Sequence, residues 1–127
     1  MIVVDTSALL AIVLDEAVSE ISIAVLEAET EVLISAATLA EALIVAARRG
    51  VATEVDQLVV GLAFTVIPVG EAAARLVSQA YAQWGKGLHP AGLNYGDCFA
   101  YALAKENDCA LLFIGDDFSR TDVKVAA

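Results

Sequence analysis

The chain has 127 residues, room for one domain with a sizeable core, and residues 1–127 read as a single domain. A formal charge of −10 argues against a broad basic surface for nucleic acid, and a lone histidine excludes a multi-histidine zinc site. The chain is 59% hydrophobic with a mean hydropathy of +0.73. Even so, its longest uncharged stretch, Gln57 to Gly70, is broken by Gly61 and Pro68 and falls short of the roughly 18 apolar residues of a membrane span.

Asp5 precedes any Lys or Arg, unlike the basic start of a signal peptide, so the expectation is a soluble, cytoplasmic protein. In chain order, Ile2–Val4 predicts a short buried strand, followed by a helix over Thr6–Leu14 with Thr6 or Ser7 near its cap. A second helix is expected over about Glu16–Glu29, with Val18, Ile21, Val25 and Leu26 on one face. Val32–Ile34 reads as the second strand. Ser35 can cap a helix from Ala36 to about Arg49, which Gly50 ends. Ala52–Leu62 reads as a helix, Phe64–Pro68 as the third strand and Glu71–Trp84 as a helix. Gly85–Leu93 is a loop, and Asn94 caps a helix to about Asn107. Cys109–Ile114 is the fourth strand, and Val123 and Val125 suggest a short edge strand in the tail. Cys98 and Cys109 lack metal-ligand spacing and read as free thiols.

Short strands alternating with helices predict a three-layer α/β/α sandwich around a mainly parallel sheet of four to five strands. Sites in such sheets form at the carboxyl ends of the strands. Asp5 and Asp116 directly follow two of the expected strands. Glu41 lies within the apolar stretch Leu33–Ala47, and Asp97 lies in the first turn of the helix before the fourth strand. Each has an ordinary structural explanation. Asp5 and Asp97 can support helix caps, Glu41 can face solvent, and Asp116 and Asp117 can be turn residues. Those explanations leave four acids converging on one rim with no basic neighbour. Carboxylates in greasy surroundings need pairing, protonation or a cation. The residue types suit Mg²⁺ or Mn²⁺, which take hard oxygen ligands, and a metal-activated water that attacks a phosphodiester.

Four segments carry a resemblance to a known family. They are Met1-Ile2-Val3-Val4-Asp5-Thr6-Ser7-Ala8-Leu9, Thr38-Leu39-Ala40-Glu41, Leu93 to Ala104 around Asn94-Tyr95-Gly96-Asp97, and Leu111 to Asp122 around Gly115-Asp116-Asp117. In that order the chain resembles PIN-domain proteins of the VapC type, the ribonuclease toxins of bacterial toxin–antitoxin pairs. The resemblance implies an endoribonuclease dependent on Mg²⁺ or Mn²⁺, a homodimer, and inhibition by a cognate VapB-type antitoxin. It implies Asp5 and Asp97 as leading metal ligands, Glu41 completing the pocket, and Asp116 or the adjacent Asp117 as the fourth acid. Thr6 or Ser7 would orient Asp5 or a bound water. Lys86, His89 and Arg120 lie near these segments and could steer the RNA backbone. Trp84 and Tyr95 could stack on a base or pack in an interface.

Two other classes remain open on the sequence. An aspartyl phosphatase of the haloacid dehalogenase type also starts with an Asp after a strand, but it wants a second Asp where Ser7 stands. A non-catalytic interaction domain could use the acidic pocket to receive a basic partner.

Overall fold

In the computed structural model, residues 1–17 and 19–127 are described. Val18, expected on the apolar face of the second helix, lies outside them. Among the described residues the elements are β1 (Ile2–Val4), α1 (Thr6–Val13), α2 (Ser19–Ala28), β2 (Val32–Ser35), α3 (Ala36–Arg48), α4 (Ala52–Gly61), β3 (Thr65–Ile67), α5 (Glu71–Trp84), α6 (Tyr95–Glu106) and β4 (Ala110–Leu112). The strands form one parallel sheet in the order β3-β2-β1-β4.

The central strand shows why the fold has three layers. Ile2, Val3 and Val4 are all buried. Because side chains alternate along a strand, Val3 faces a core shared with α5 and α6, while Ile2 and Val4 face one shared with α1, α3 and α4. A strand buried on both faces must read as a continuous apolar run, and this one does. β3 is the exception, with Thr65 and Val66 exposed at the sheet edge.

The order β3-β2-β1-β4 also fixes where a site can form. From β1 the chain steps outward through β2 to β3, then returns to add β4 on the other side of β1. The switch point therefore lies between β1 and β4, and crevices for ligands open at the carboxyl ends there. Asp5 and the Asp116-Asp117 turn occupy those two ends.

Several local expectations changed. The second helix starts at Ser19, after turns in which Glu16 N–H donates to Ala11 O and Asp15 takes φ 53°. It buries Ser19, Ser22 and Leu26, so Ile21 is exposed, not on a core face. The fourth strand stops at Leu112 because Ile114 N–H donates to the Ser7 hydroxyl (3.0 Å) and not to a neighbouring strand. The tail adds no full strand, only a parallel bridge between Leu111 and Val125. Cys98 and Cys109 are free thiols.

Candidate active site

Asp5 is the N-cap of α1, with extended backbone and its carboxylate accepting from Ser7 N–H (3.1 Å). The Ser7 hydroxyl donates to the same oxygen, Asp5 Oδ2, at 2.7 Å. That hydroxyl in turn accepts from Ile114 N–H, and Asp5 N–H donates to Leu112 O. Ser7 thus ties the ends of β1 and β4 together and holds Asp5 between them. Asp5 is only 4% exposed. Burial raises its pKa above the ordinary value; the Ser7 hydrogen bonds oppose this, and the nearby Glu41 charge adds to it.

Asp97 stands in the first turn of α6 as half of a capping box. Its N–H donates to Asn94 Oδ1 (2.8 Å), and Asn94 N–H donates to Asp97 Oδ2 (3.0 Å). The residue is buried, and its pKa is pushed up to about 7. Burial is the largest cause. The N–H of Asn94 opposes it, and the charges of Asp5, Asp117 and Glu41 raise it further. So a cap position and a buried carboxylate at the rim coincide in one side chain, as they do for Asp5.

Glu41 reaches the rim from α3, two turns beyond Ser35, which caps that helix. Its Oε1 accepts from the Thr6 hydroxyl at 2.8 Å. Thr6 also lies 3.3 Å from the Thr38 carbonyl oxygen. The other face of the carboxylate rests on Gly96: a Cβ there would stand 2.5 Å from Glu41 Oε2 and 3.0 Å from its Cδ. Thr6 and Gly96 together fix the position of Glu41, while Ser7 fixes Asp5. Gly96 was not singled out from the sequence. Nothing local marks it, because the atom it makes room for belongs to another helix.

Gly115, at φ 101°, turns the chain after β4 and presents Asp116 and Asp117, both exposed. Asp116 starts a turn, its carbonyl accepting from Ser119 N–H and from the Ser119 hydroxyl (2.7 Å). Asp117 is the one of the pair among the charges that act on Asp97. Among the described residues, no cation pairs with any of these five acids. The ion pairs join the N-terminus to Glu29, Arg75 to Glu71, Lys105 to Asp122 and Lys124 to Asp108.

Every donor atom here is a carboxylate or hydroxyl oxygen, the set that suits a hard divalent cation. Among the described residues, however, no three His, Cys, Asp or Glu side chains close on one point as a ready ligand set. The hydrogen bonds give the physical reason: Asp5 is turned to Ser7, Glu41 to Thr6 and Asp97 to Asn94.

The three candidate RNA-steering residues separate. His89 is half-buried: its ring meets the edge of Trp84 at 4.7 Å, and its Nδ1 accepts from Ala91 N–H (2.9 Å). It shapes the loop from within. Lys86 is exposed in that loop, and exposed Arg120 places Nη1 3.4 Å from Pro90 O. Trp84 is not free to stack, since its Nε1 donates to the Tyr101 hydroxyl at 2.8 Å.

Compared with known proteins, the chain matches the PIN domain over residues 2–124. It is 43% identical over 128 residues to Ribonuclease VapC30 of Mycobacterium tuberculosis, covering 98% of each chain. The chain belongs to the PIN-domain family, with VapC ribonucleases as its relatives. Within that family its fold superposes on the crystal structure of Mycobacterium tuberculosis VapC20, described as a sarcin–ricin loop cleaving toxin. The TM-score is 0.79 at 16% identity, over 97% of this chain and 96% of that one. A toxin–antitoxin complex from Klebsiella pneumoniae gives a TM-score of 0.72 at 17% identity, over 96% and 93% of the two chains. No helix among the described residues is long and apolar enough to cross a membrane.

Proposed function

We propose that this PIN-domain protein is a VapC-type endoribonuclease toxin, dependent on Mg²⁺ or Mn²⁺, that hydrolyses RNA phosphodiester bonds. The observation that carries the reading is a set of uncompensated carboxylates at the β1/β4 switch point: Asp5 and Asp97 buried, Glu41 and Asp117 beside them. Asp5 and Asp97 would hold the cation, with Glu41 and either Asp117 or Asp116 completing the shell. When bound, the cation supplies a nucleophilic water and offsets charge on the phosphoryl oxygens.

The chain's own residues prepare that arrangement. Ser7 restrains Asp5, Thr6 and Gly96 restrain Glu41, and Asn94 restrains Asp97. Held in this way, the carboxylates stand at one rim; to ligate a divalent ion together they would turn from these donors toward a common point, where a carboxylate can also accept a proton from water. The protein would act in the cytoplasm as a homodimer held in check by a cognate VapB-type antitoxin. Exposed Ile44, Val60 and Ile21 offer apolar surface for such partners. The Klebsiella pneumoniae relative in fold is itself a toxin–antitoxin complex.

The test is cleavage of total cellular RNA with new 5′ ends mapped by sequencing, for the wild type and Asp97→Asn, each with Mg²⁺, Mn²⁺ or EDTA. Discrete ends that require metal and vanish in the variant are expected. No new ends from folded, partner-free protein would overturn the nuclease reading in favour of a domain whose acidic pocket docks a basic partner.

A further inference from the structure

Tyr95 is the most exposed of the large hydrophobic side chains described, at 73%. It heads α6, two residues before Asp97, and its ring is braced edge-on by Phe99 at 5.0 Å and 84°. Beside it, between α5 and α6, lies a shallow groove of about 460 Å³, walled by Tyr81, Leu88, Val77 and Cys98 with no charged residue in its lining. The groove has a built wall. Any Cβ at Gly85 would collide with the Tyr81 carbonyl and ring, so that glycine lets the loop close over Tyr81. The Tyr81 hydroxyl then donates to the Lys86 carbonyl (3.3 Å), which fixes the start of the loop carrying Lys86 and Leu88 at the groove edge.

One cation, Arg75, adjoins the groove beside Ala74 and Ser78, in a surface pair with Glu71. Arg75, Lys105 and Lys124 are neutralised in ion pairs. Arg48 and Arg49 close α3 about 10 Å along the helix axis beyond Glu41, at the end remote from the carboxyl end of β2, where that helix begins. Lys86 and Arg120 remain, linked through the loop by the Arg120–Pro90 contact. On a chain of net charge −10 they are, among the described residues outside α3, the cations without a carboxylate partner, and they offer a polyanion local positive charge.

We propose that this groove receives an unpaired base of the RNA substrate, stacked on Tyr95, with Lys86 and Arg120 holding flanking phosphates. The inference rests on the endoribonuclease reading and adds to it a base subsite, which only a base free of its pairing partner can enter, since paired bases present no free face. The groove and the carboxylates lie on opposite sides of one helical turn, roughly 10 Å apart, so the docked base belongs to a nucleotide near the one cut. An uncharged aromatic slot flanked by two cations complements a nucleotide. A second acidic copy would also be drawn to those cations, but the groove's place two residues from Asp97 puts it on the path of the substrate.

The experiment uses single-stranded RNA carrying 2-aminopurine, titrated with full-length protein in EDTA, followed by cleavage of the same RNA with Mn²⁺. Wild type, Tyr95→Phe and Tyr95→Leu are compared, and each protein alone is sedimented. Quenching and affinity should survive in Tyr95→Phe and fall on the order of tenfold or more in Tyr95→Leu, with cleavage falling in parallel and the sedimented mass unchanged. Equal binding and cleavage by Tyr95→Leu would overturn the base site and leave the nuclease intact. A change in sedimented mass that accounts for the lost binding would also overturn it, and would assign the groove to self-association. Tyr95-dependent quenching by a protein that leaves RNA uncut with either Mg²⁺ or Mn²⁺ would keep the base site and remove the nuclease reading.

Discussion

Two groups of aspartates in this protein are perturbed in opposite directions. Asp122 accepts from the Tyr101 hydroxyl and pairs with Lys105 (3.1 Å), and these partners lower its pKa. Asp108 is likewise lowered by Lys124. At the β1/β4 rim, Asp5 and Asp97 are raised first by burial and then by neighbouring carboxylates, Glu41 for Asp5 and Asp5, Asp117 and Glu41 for Asp97. The chain has lysines to spend on acids and spends them away from the rim. Partnered acids stabilise the tail against α6. Unpartnered ones destabilise the folded state until something cationic arrives, which is the usual signature of a functional site.

Exchanging charge for amide in each group separates the two roles most sharply. Asp97→Asn should lose at least about a hundredfold in RNA cleavage while the metal-free protein melts no lower than the wild type, because a mutually repelling charge is gone. Asp122→Asn should cleave normally and lose roughly 1 kcal/mol of stability, a modest figure because its side chain is half exposed. Cleavage rates beside urea titrations of both variants decide it. A cleaving Asp97→Asn would dissolve the distinction.

The same division explains what was legible in the sequence. The caps Ser35 and Asn94 and the strand Ile2–Val4 could be read because their signals are local. Asp5, Glu41 and Asp97 stood out because a carboxylate amid apolar neighbours demands a reason. The choice between Asp116 and Asp117 was not legible. Adjacent turn residues differ only in where the tertiary fold aims them, and Asp117 is the one whose charge raises the Asp97 pKa. Ile21 misled because α2 carries apolar residues on more than one face, and packing selected the face of Ser22 and Leu26. The early end of β4 depended on the Ser7 hydroxyl, remote in sequence.

Gly96→Ala sharpens the comparison by moving one acid without changing any charge. The new methyl would overlap the Glu41 carboxylate, the free end of a flexible side chain, so the carboxylate shifts and the backbone stays. Cleavage should drop about tenfold, the cost of a misplaced group being large even when displacement is small. Stability should hold or rise, since Ala is favoured over Gly in a helix by up to ~1 kcal/mol. A variant that cleaves at wild-type rate would show that the seat of Glu41 is not critical.

Acidity offers a smaller lever, with a sign that differs between the groups. An acid raised in the folded state binds its proton more tightly there than in the unfolded chain, so its penalty is absent at low pH. For Asp97 the penalty grows as pH climbs from the ordinary 3.8 to about 7, and Asp5 adds in the same direction. The metal-free protein should therefore melt a few degrees lower at pH 8 than at pH 5, and Mn²⁺ should shrink the gap. Asp122, being lowered, contributes stability that is lost only below about pH 4. Melting curves across that range that rise with pH from 5 to 8 would contradict the raised acids at the rim.

The gentlest perturbation lies in the partnered group. Trp84 Nε1, the Tyr101 hydroxyl, Asp122 and Lys105 form a chain of partners joining the end of α5 to α6 and the tail. Tyr101 is 5% exposed, and its pKa is pushed up to about 12, first by burial and then by the Asp122 carboxylate it donates to. It stays a neutral donor at any physiological pH. Tyr101→Phe removes that hydroxyl and leaves Trp84 Nε1 without its acceptor, while Asp122 keeps Lys105. About 1 kcal/mol should be lost in urea unfolding followed by Trp84 fluorescence, with cleavage unchanged. The hydroxyl lies in the middle of the chain and touches none of the five rim acids. A loss of cleavage without loss of stability would therefore mean that α5 and its loop transmit position to Asp97, and that the two groups of acids are not independent.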